Sequence, residues 1–146
     1  MTESIDGAAV RDSLMSVANR MVELRDWLNE LDGAMGDGDT GITAAKAGAA
    51  VRDYMEATPP GDDLGKWLAG AGMALNRAAS STLGTVLATA LMRAGREAKG
   101  VDTLTPALLA EMVQSANTGI QERGKAKPGD KTIVDALDPA ANAFAA

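Results

Sequence analysis

The sequence predicts an all-α fold of about six helices that form a single domain over residues 1–146. Along most of the chain, apolar residues recur at spacings of three and four, which is the period of an amphipathic helix. The composition agrees, since 46% of the residues are hydrophobic but only 3% are aromatic. A core of Ala, Leu, Val and Met favours helices over strands, and no segment convincingly alternates apolar with polar residues.

The first two predicted helices flank a glycine-rich segment. The first begins near Ile5, and its apolar stripe runs to Leu31. The second covers about residues 41–55 and stops before Pro59 and Pro60, because paired prolines disfavour helix. Four residues of this second helix are expected to be buried: Ile42, Ala45, Ala49 and Val51.

The third and fourth predicted helices lie on either side of a short polar stretch. Apolar residues at helical spacing mark the third helix over residues 64–75, and residues 76–82 are small and polar. In the fourth helix, Gly84 and Ala88 are small enough to let it pack closely against a neighbour. Gly100 closes this helix.

The last two predicted helices have clear start and stop residues. Thr105 followed by Pro106 is typical of an N-cap with proline at the first helical position, and Gly124 ends this fifth helix. A sixth helix begins at Ile133 after a loop rich in Gly, Lys and Pro. Pro139 is expected to bend or restart it.

Composition and charge exclude several classes of function. The net charge of −6 and the pI of about 4.6 argue against nucleic acid or an anionic membrane as the main partner. With no Cys and no His, the chain has no disulfide, no thiol chemistry, no histidine base and no histidine metal ligand. No apolar run reaches the roughly 20 residues of a membrane span, and no signal-peptide pattern is present, so a cytoplasmic protein is expected.

The most informative segment spans residues 30–41, where Asp32, Asp37 and Asp39 are spaced by glycines without any Lys or Arg. Like charges this close raise one another's pKa, and a divalent cation removes that cost. Carboxylate ligands suit Mg²⁺, Ca²⁺ or Mn²⁺, although an ordinary acidic surface turn is the alternative. An EF-hand is excluded because the twelfth position counted from Asp37 is Gly48 rather than Glu. The pattern favours Mg²⁺.

Two further loops are compatible with phosphate binding but do not require it. Residues 78–85 place hydroxyl groups and small side chains at a helix start, which suits an anion or simply an ordinary helix cap. Residues 127–132 combine two Lys with a tight turn, either to contact phosphate or as a solvated connector. Neither loop has the pattern of a P-loop.

Taken together and in this order, these segments resemble the L subunit, or DAK2 domain, of dihydroxyacetone kinases. The resemblance is carried by residues 30–41, 80–85 and 123–132, followed by Asp-Ala-Leu at 135–137, and covers essentially the whole chain. It implies a barrel of antiparallel helices that holds ATP or ADP at one end with two Mg²⁺ ions. The implied metal ligands are Asp32, Asp37 and Asp39. The implied nucleotide contacts are Thr40, Gly41, Thr43, Ser80, Ser81, Gly124 and Ile133.

The resemblance also implies a reaction and its partners. Such kinases phosphorylate a small ketose of the dihydroxyacetone or erythrulose type, which a separate K subunit holds through a His. Because this chain has no His, a K-type subunit is an expected partner. The phosphoryl donor is either ATP or a phosphotransferase-system protein that rephosphorylates bound ADP from phosphoenolpyruvate.

The chain departs from the family pattern in several places. Thr40 stands where relatives commonly have His, Thr43 where they have Asn, and Ile133 where they have Met. The turn before Ser80 is one residue shorter, and relatives continue for about two more helices, so we expect an incomplete C-terminal end. The alternatives are a non-catalytic nucleotide- or metal-binding module, a nucleotide domain like that of fatty-acid kinases, and a purely structural helical bundle.

Overall fold

The computed structural model describes residues 3–146 and is almost entirely helical, which confirms the predicted all-α class. Over these residues the helices are α1 (Gly7–Glu23), α2 (Arg25–Gly33), α3 (Thr40–Ala57), α4 (Leu64–Ala78), α5 (Thr82–Glu97), α6 (Pro106–Gly124) and α7 (Val134–Ala145). Two short strands, β1 (Ile5–Asp6) and β2 (Thr103–Leu104), form one antiparallel ladder. Within the same residues no helix combines the length and apolar character needed to cross a membrane.

The first predicted helix is in fact two helices, so the prediction of one continuous helix from Ile5 to Leu31 is wrong. Ile5 belongs to β1, and α1 begins at Gly7 with the Asp6 carboxylate accepting the N–H of Ala9 at 2.8 Å. The break lies at Leu24, whose φ of −81° and ψ of 3° leave the helical region. The apolar stripe continues in phase across this break, and periodicity alone therefore could not reveal it.

The buried face of α3 also differs from the prediction. Val51 is buried as expected, but Ile42 is exposed and Ala45 and Ala49 are only half-buried. The face that packs inward is instead made mostly of the small residues Gly41, Ala44, Ala47 and Gly48, together with Val51 and Met55. Helix α3 lies so close to α1 that a side chain at Gly48 would collide with the carbonyl oxygen of Ala18. A pattern of large apolar residues does not include glycine, which explains why the buried face of α3 was predicted wrongly.

Helices α1 and α2 run in the same direction, α3 runs antiparallel to both, and the later helices alternate in direction. The backbone of Gly65 lies against Gly95 at one end of the α4–α5 pair, and Gly84 lies against Ala79 at the other. Across α5 and α6, the Ser115 hydroxyl donates to the Glu97 carboxylate at 2.8 Å. Helices α6 and α7 are joined by the buried Asn117, whose amide donates to Asp138 Oδ1.

This alternation places three connecting segments at one end of the bundle. Residues 34–39, 79–81 and 125–133 each follow a helix that runs toward that end, whereas residues 58–63 and 98–105 lie at the opposite end. Most helix boundaries around these segments agree with the sequence, but α5 ends at Glu97, before the predicted stop at Gly100. Thr105 caps α6 by accepting the N–H of Leu108, and α7 continues through Pro139 without restarting.

The core has a large and a small part. The large cluster fills the space between α1, α3, α4, α5 and α6 and includes the fully buried Met55, Leu64 and Leu104. The smaller cluster centres on Val86, Ile120 and Val134, where α5, α6 and α7 meet. Because α7 begins at Val134, this second cluster lies at the end of the bundle that carries the three segments.

Candidate functional site

The structure brings Asp32, Asp37 and Asp39 together at this end of the bundle. Asp32 lies in the last turn of α2, and the other two lie in the loop before α3. One carboxylate oxygen from each residue lies within 4.8 Å of the others. Asp32 is half-buried, and its two neighbours are exposed.

The backbone of the loop is built around Asp32. Its Oδ2 accepts the N–H groups of Asp39 at 2.9 Å and Thr40 at 3.1 Å, which ties the end of α2 to the start of α3. Gly38 has a φ of 77°, a left-handed conformation that glycine adopts without steric cost. The loop can therefore reverse within a few residues and return Asp37 and Asp39 to Asp32.

Two of the three carboxylates have pKa values that are shifted in opposite directions. Hydrogen bonds from the backbone of Thr40, and to a smaller extent Asp39, lower the pKa of Asp32. The pKa of Asp39 is raised, first by a hydrogen bond with Asp37 and then by that residue's charge. None of the ion pairs within residues 3–146 supplies a Lys or Arg to this cluster. Oxygen ligands with uncompensated negative charge fit a hard divalent cation such as Mg²⁺.

The first turn of α3 adjoins the carboxylates and contains Thr40, Gly41 and Thr43. A side chain at Gly41 would collide with the carbonyl oxygen of Arg25, so glycine is required where α3 starts against α2. Asn29 accepts the N–H of Ile42 at 3.2 Å and so helps to hold this turn in place. Sequence reasoning missed Asn29, because a polar residue outside the apolar stripe of a helix is indistinguishable from a solvated one.

The turn between α4 and α5 holds the two predicted serines. The Ser81 hydroxyl oxygen accepts the N–H of Gly84 at 3.1 Å, so Ser81 serves as the N-cap of α5. Ser80 is exposed, and Thr82, which was not among the predicted contacts, is the first residue of the helix. Of the two alternatives that the sequence offers for this turn, the helix cap is thus present at Ser81.

A cavity of about 280 Å³ opens where α5, α6 and α7 meet. It brings together Gly124 and Ile133, which are predicted nucleotide contacts on either side of the 125–133 loop. Its walls are mostly apolar, with one polar side chain each from Thr82 and Thr132. The full lining is Thr82, Leu83, Val86, Ile120, Gly124, Ala126, Thr132, Ile133 and Val134.

The family model of the DAK2 domain matches residues 34–146, which is more than half of the chain and includes two of the three carboxylates. The chain belongs to the DAK2 domain family. The membership of this family that the three loops predicted is confirmed, and so is the helical architecture that it implied.

Known proteins similar to this DAK2 domain include kinases and a kinase subunit. The ADP-binding subunit DhaL of the PEP-dependent dihydroxyacetone kinase 1 of Listeria innocua is 29% identical to this chain over 131 residues. The alignment covers 90% of this chain and 65% of that subunit. Human triokinase/FMN cyclase is 32% identical over 124 residues, which is 85% of this chain and 21% of the human protein.

A solved structure shares the fold. The dihydroxyacetone kinase of C. freundii, in complex with AMP-PNP and Mg²⁺, superposes with a TM-score of 0.79 at 27% identity. The match covers 100% of this chain and 26% of that protein. The DAK2 domain described here therefore spans about two thirds of the length of the Listeria subunit and about a quarter of the C. freundii kinase.

Proposed function

We propose that this DAK2 domain binds ATP or ADP together with Mg²⁺ and is the nucleotide-binding part of a kinase. The observation that carries the proposal is the placement of a three-carboxylate cluster and an apolar cavity at the same end of one helical bundle. A nucleotide needs both environments, since its phosphates are anionic and the flat faces of its base are apolar. Similar proteins are named as an ADP-binding subunit and as a kinase with bound AMP-PNP and Mg²⁺, which supports the same conclusion.

At the phosphate end, Asp32, Asp37 and Asp39 would hold two Mg²⁺ ions, as the family resemblance implies. Bound Mg²⁺ supplies positive charge that offsets the phosphate oxygens during phosphoryl transfer. In the first turn of α3 the N–H groups of Thr40 and Thr43 already bind Asp32 and the Asp39 carbonyl. We therefore assign the hydroxyl groups of Thr40 and Thr43 and the backbone N–H of Gly41 to the phosphates. Asp32 has a further task there, because it also holds the N–H groups of Asp39 and Thr40 in place.

At the base end, we assign Gly124 and Ile133 to the walls that enclose the adenine. Ile133 offers an apolar surface for a flat ring, and Gly124 leaves space because it has no side chain. Ser80 and Ser81 lie in the turn at the same end of the bundle and complete the proposed nucleotide contacts.

The acceptor is proposed to be a small ketose of the dihydroxyacetone or erythrulose type, held by a separate K-type subunit. The Listeria relative is by name one subunit of a PEP-dependent dihydroxyacetone kinase, which supports a divided enzyme. We infer that the phosphoryl donor is ATP itself or a phosphotransferase-system protein that regenerates ATP from bound ADP.

Calorimetric titration with ADP tests the nucleotide site. We expect binding in the presence of Mg²⁺ and at least about tenfold weaker binding with a chelator or in Asp37→Ala, because one carboxylate ligand is lost. Asp26→Ala is the matched control, since it removes the same charge from an exposed position on the neighbouring helix. Absence of binding by the unsubstituted chain, or equal affinity in Asp37→Ala, would contradict the proposal.

A further inference from the structure

Asp135 makes two backbone contacts that the proposed nucleotide site does not yet use. It lies in the first turn of α7, where its Oδ1 accepts the N–H of Gly129 at 2.6 Å and its Oδ2 accepts the N–H of Thr132 at 2.9 Å. One carboxylate thus spans two points of the loop before its own helix. Hydrogen bonds to an ionised acceptor are about twice as strong as those between neutral groups.

The loop that Asp135 spans has an unusual backbone. Lys125 has a φ of 51° and Lys131 a φ of 58°, both in the left-handed region that non-glycine residues rarely adopt. Such conformations persist only where surrounding contacts enforce them. The two amides bound by Asp135 stand on either side of Lys131, so this carboxylate is well placed to hold the turn.

The same loop forms part of the cavity wall. Thr132 and Ile133 line the cavity from the end of the loop, and Ala126 lines it from the beginning. If the loop were released, these walls would lose their fixed distance from Val86 and Ile120 on α5 and α6. Asp135 does not line the cavity itself, so any effect on a ligand must act through the loop.

We propose that Asp135 is a positioning residue of the nucleotide site, which holds the 125–133 loop in the conformation that shapes the cavity. This inference rests on the proposed function. The backbone bonds from Gly129 and Thr132 lower the pKa of Asp135, so that both oxygens are available as acceptors near neutral pH.

A matched control exists in the same loop. Asp130 accepts the N–H of Lys127 at 3.0 Å and pairs with the Lys127 ammonium at 2.9 Å, a contact confined to one exposed turn. Asp130→Asn and Asp135→Asn therefore each remove one negative charge, at positions that are five residues apart. Only Asp135→Asn weakens the link between the loop and α7.

The test combines calorimetry with amide hydrogen exchange in the full chain. In Asp135→Asn we expect about tenfold weaker binding of ADP in the presence of Mg²⁺, and faster exchange at Gly129 and Thr132. Binding of Mg²⁺ alone should be unchanged, because the three carboxylates of its proposed site lie on other elements. Asp130→Asn should retain the affinity for ADP. A role limited to global stability would lower the melting temperature without this selective loss.

The possible failures can be told apart. If the unsubstituted chain does not bind ADP, the proposed function fails, and the inference that depends on it falls with it. If the unsubstituted chain binds ADP but Asp135→Asn binds equally well, or if Asp130→Asn loses as much affinity, the positioning role alone is overturned. Asp135→Ser, which keeps one acceptor oxygen at the helix start, provides the same comparison if Asp135→Asn does not fold.

Discussion

At the scale of single residues, Asp32 and Asp37 carry the same carboxylate group but have different structural roles. Asp32 accepts two backbone N–H groups, so its replacement would alter the start of α3 as well as the charge of the cluster. Asp37 is exposed in the loop and interacts with Asp39. A substitution at Asp37 therefore separates the electrostatic contribution of the cluster from the conformation of the backbone.

The first prediction follows from the repulsion in this cluster. Adding Mg²⁺ to the metal-free protein should raise its melting temperature, because a ligand that binds only the folded state stabilises it by mass action. The increase should be much smaller in Asp37→Asn, and Asp26→Asn should behave like the unsubstituted chain. Thermal melts recorded with Mg²⁺ and with a chelator measure the effect. An equal Mg²⁺-dependent increase in Asp37→Asn would argue against metal binding at this cluster.

A second prediction concerns the close approach of α2 and α3. Gly41→Ala should destabilise the fold by about 1–3 kcal/mol, because the added methyl group would collide with the carbonyl of Arg25. It should also weaken Mg²⁺ and ADP binding, since the first turn of α3 must shift. Gly61→Ala is the control, because nothing lies within 4 Å of the added atom. Urea denaturation gives both free energies of unfolding, and equal stability of the two variants would contradict the prediction.

How well single residues could be predicted depends on the distance along the chain between interacting groups. Asp32, Asp37 and Asp39 are close in the sequence, so their clustering was visible before the structure. Asn29 accepts a hydrogen bond from Ile42, 13 positions away, and Thr82 and Ile133 line the same cavity only because three helices pack together. Those relations depend on tertiary structure and leave no periodic or compositional pattern.

At the scale of secondary structure, helices were predicted best where their ends carry specific side chains. The Thr105 cap and the end of α6 at Gly124 follow from residue type alone. The break at Leu24 has no such marker, because neither Gly nor Pro stands there and the apolar pattern continues. Similarly, the inward face of α3 depends on how closely its partner approaches, which a single helix cannot specify.

A third prediction addresses the contact between α6 and α7. Asn117 is buried, and its amide donates to Asp138 Oδ1 at 2.8 Å while its oxygen accepts from Gln121 at 3.2 Å. Asn117→Ala should cost about 1–3 kcal/mol, because a buried side chain is removed and its half-buried partners Asp138 and Gln121 lose hydrogen bonds. Asn142→Ala, at the exposed end of the same network, should cost much less. Chemical denaturation of the two variants tests this difference, which would be absent if the network did not fix the position of α7.

A fourth prediction concerns the cap of α4 and its dependence on pH. Asp63 accepts the N–H of Lys66 at 2.9 Å, and backbone bonds from Gly100 and Lys66 lower its pKa in the folded state. Because the pKa of Asp63 is lower in the folded state than its unfolded value of 3.8, the ionised carboxylate stabilises the fold at any pH above that unfolded value. This stabilisation is lost as the pH falls through the pKa of the folded state. Asp63→Ala should thus be less stable than the unsubstituted chain at pH 7, and the difference should shrink below about pH 4.

Thermal melts between pH 7 and pH 2.5 measure this difference. The adjacent Asp62→Ala serves as the control, since it removes a carboxylate outside the cap. A difference for Asp63→Ala that stays constant over the whole range would show that the ionised form of the cap does not contribute.

At the scale of the whole molecule, the antiparallel order of the helices is what assembles the proposed site. Residues 34–39, 79–81 and 125–133 are distant in the sequence, yet alternate helix directions bring them to one end. The carboxylates, the serine turn and the cavity walls could each be interpreted from the sequence on their own. Their common location at one end of the bundle depends on the fold, and the family resemblance predicted it.

The final prediction tests whether this end of the bundle takes part in phosphoryl transfer. Supplied with a K-type ketose-binding subunit from the same organism and dihydroxyacetone, the chain should support formation of the phosphorylated ketose, whereas the chain alone should not. The reason is that the proposed acceptor site requires a His, and this chain has none. Asp37→Ala should abolish the reaction, and Asp26→Ala should retain it.

The donor and the rival function are decided in the same assay. Product formed with ATP and without phosphoenolpyruvate identifies direct transfer from ATP, while strict dependence on phosphoenolpyruvate and phosphotransferase proteins identifies regeneration of a retained nucleotide. In both cases the carboxylate cluster would act on phosphates at the same end of the bundle. Tight binding of ADP with Mg²⁺ but no transfer from either donor would instead show that the chain is a nucleotide-binding module without kinase activity. The two outcomes differ because binding depends only on the carboxylate cluster and the cavity, whereas transfer also needs an acceptor close to the bound nucleotide.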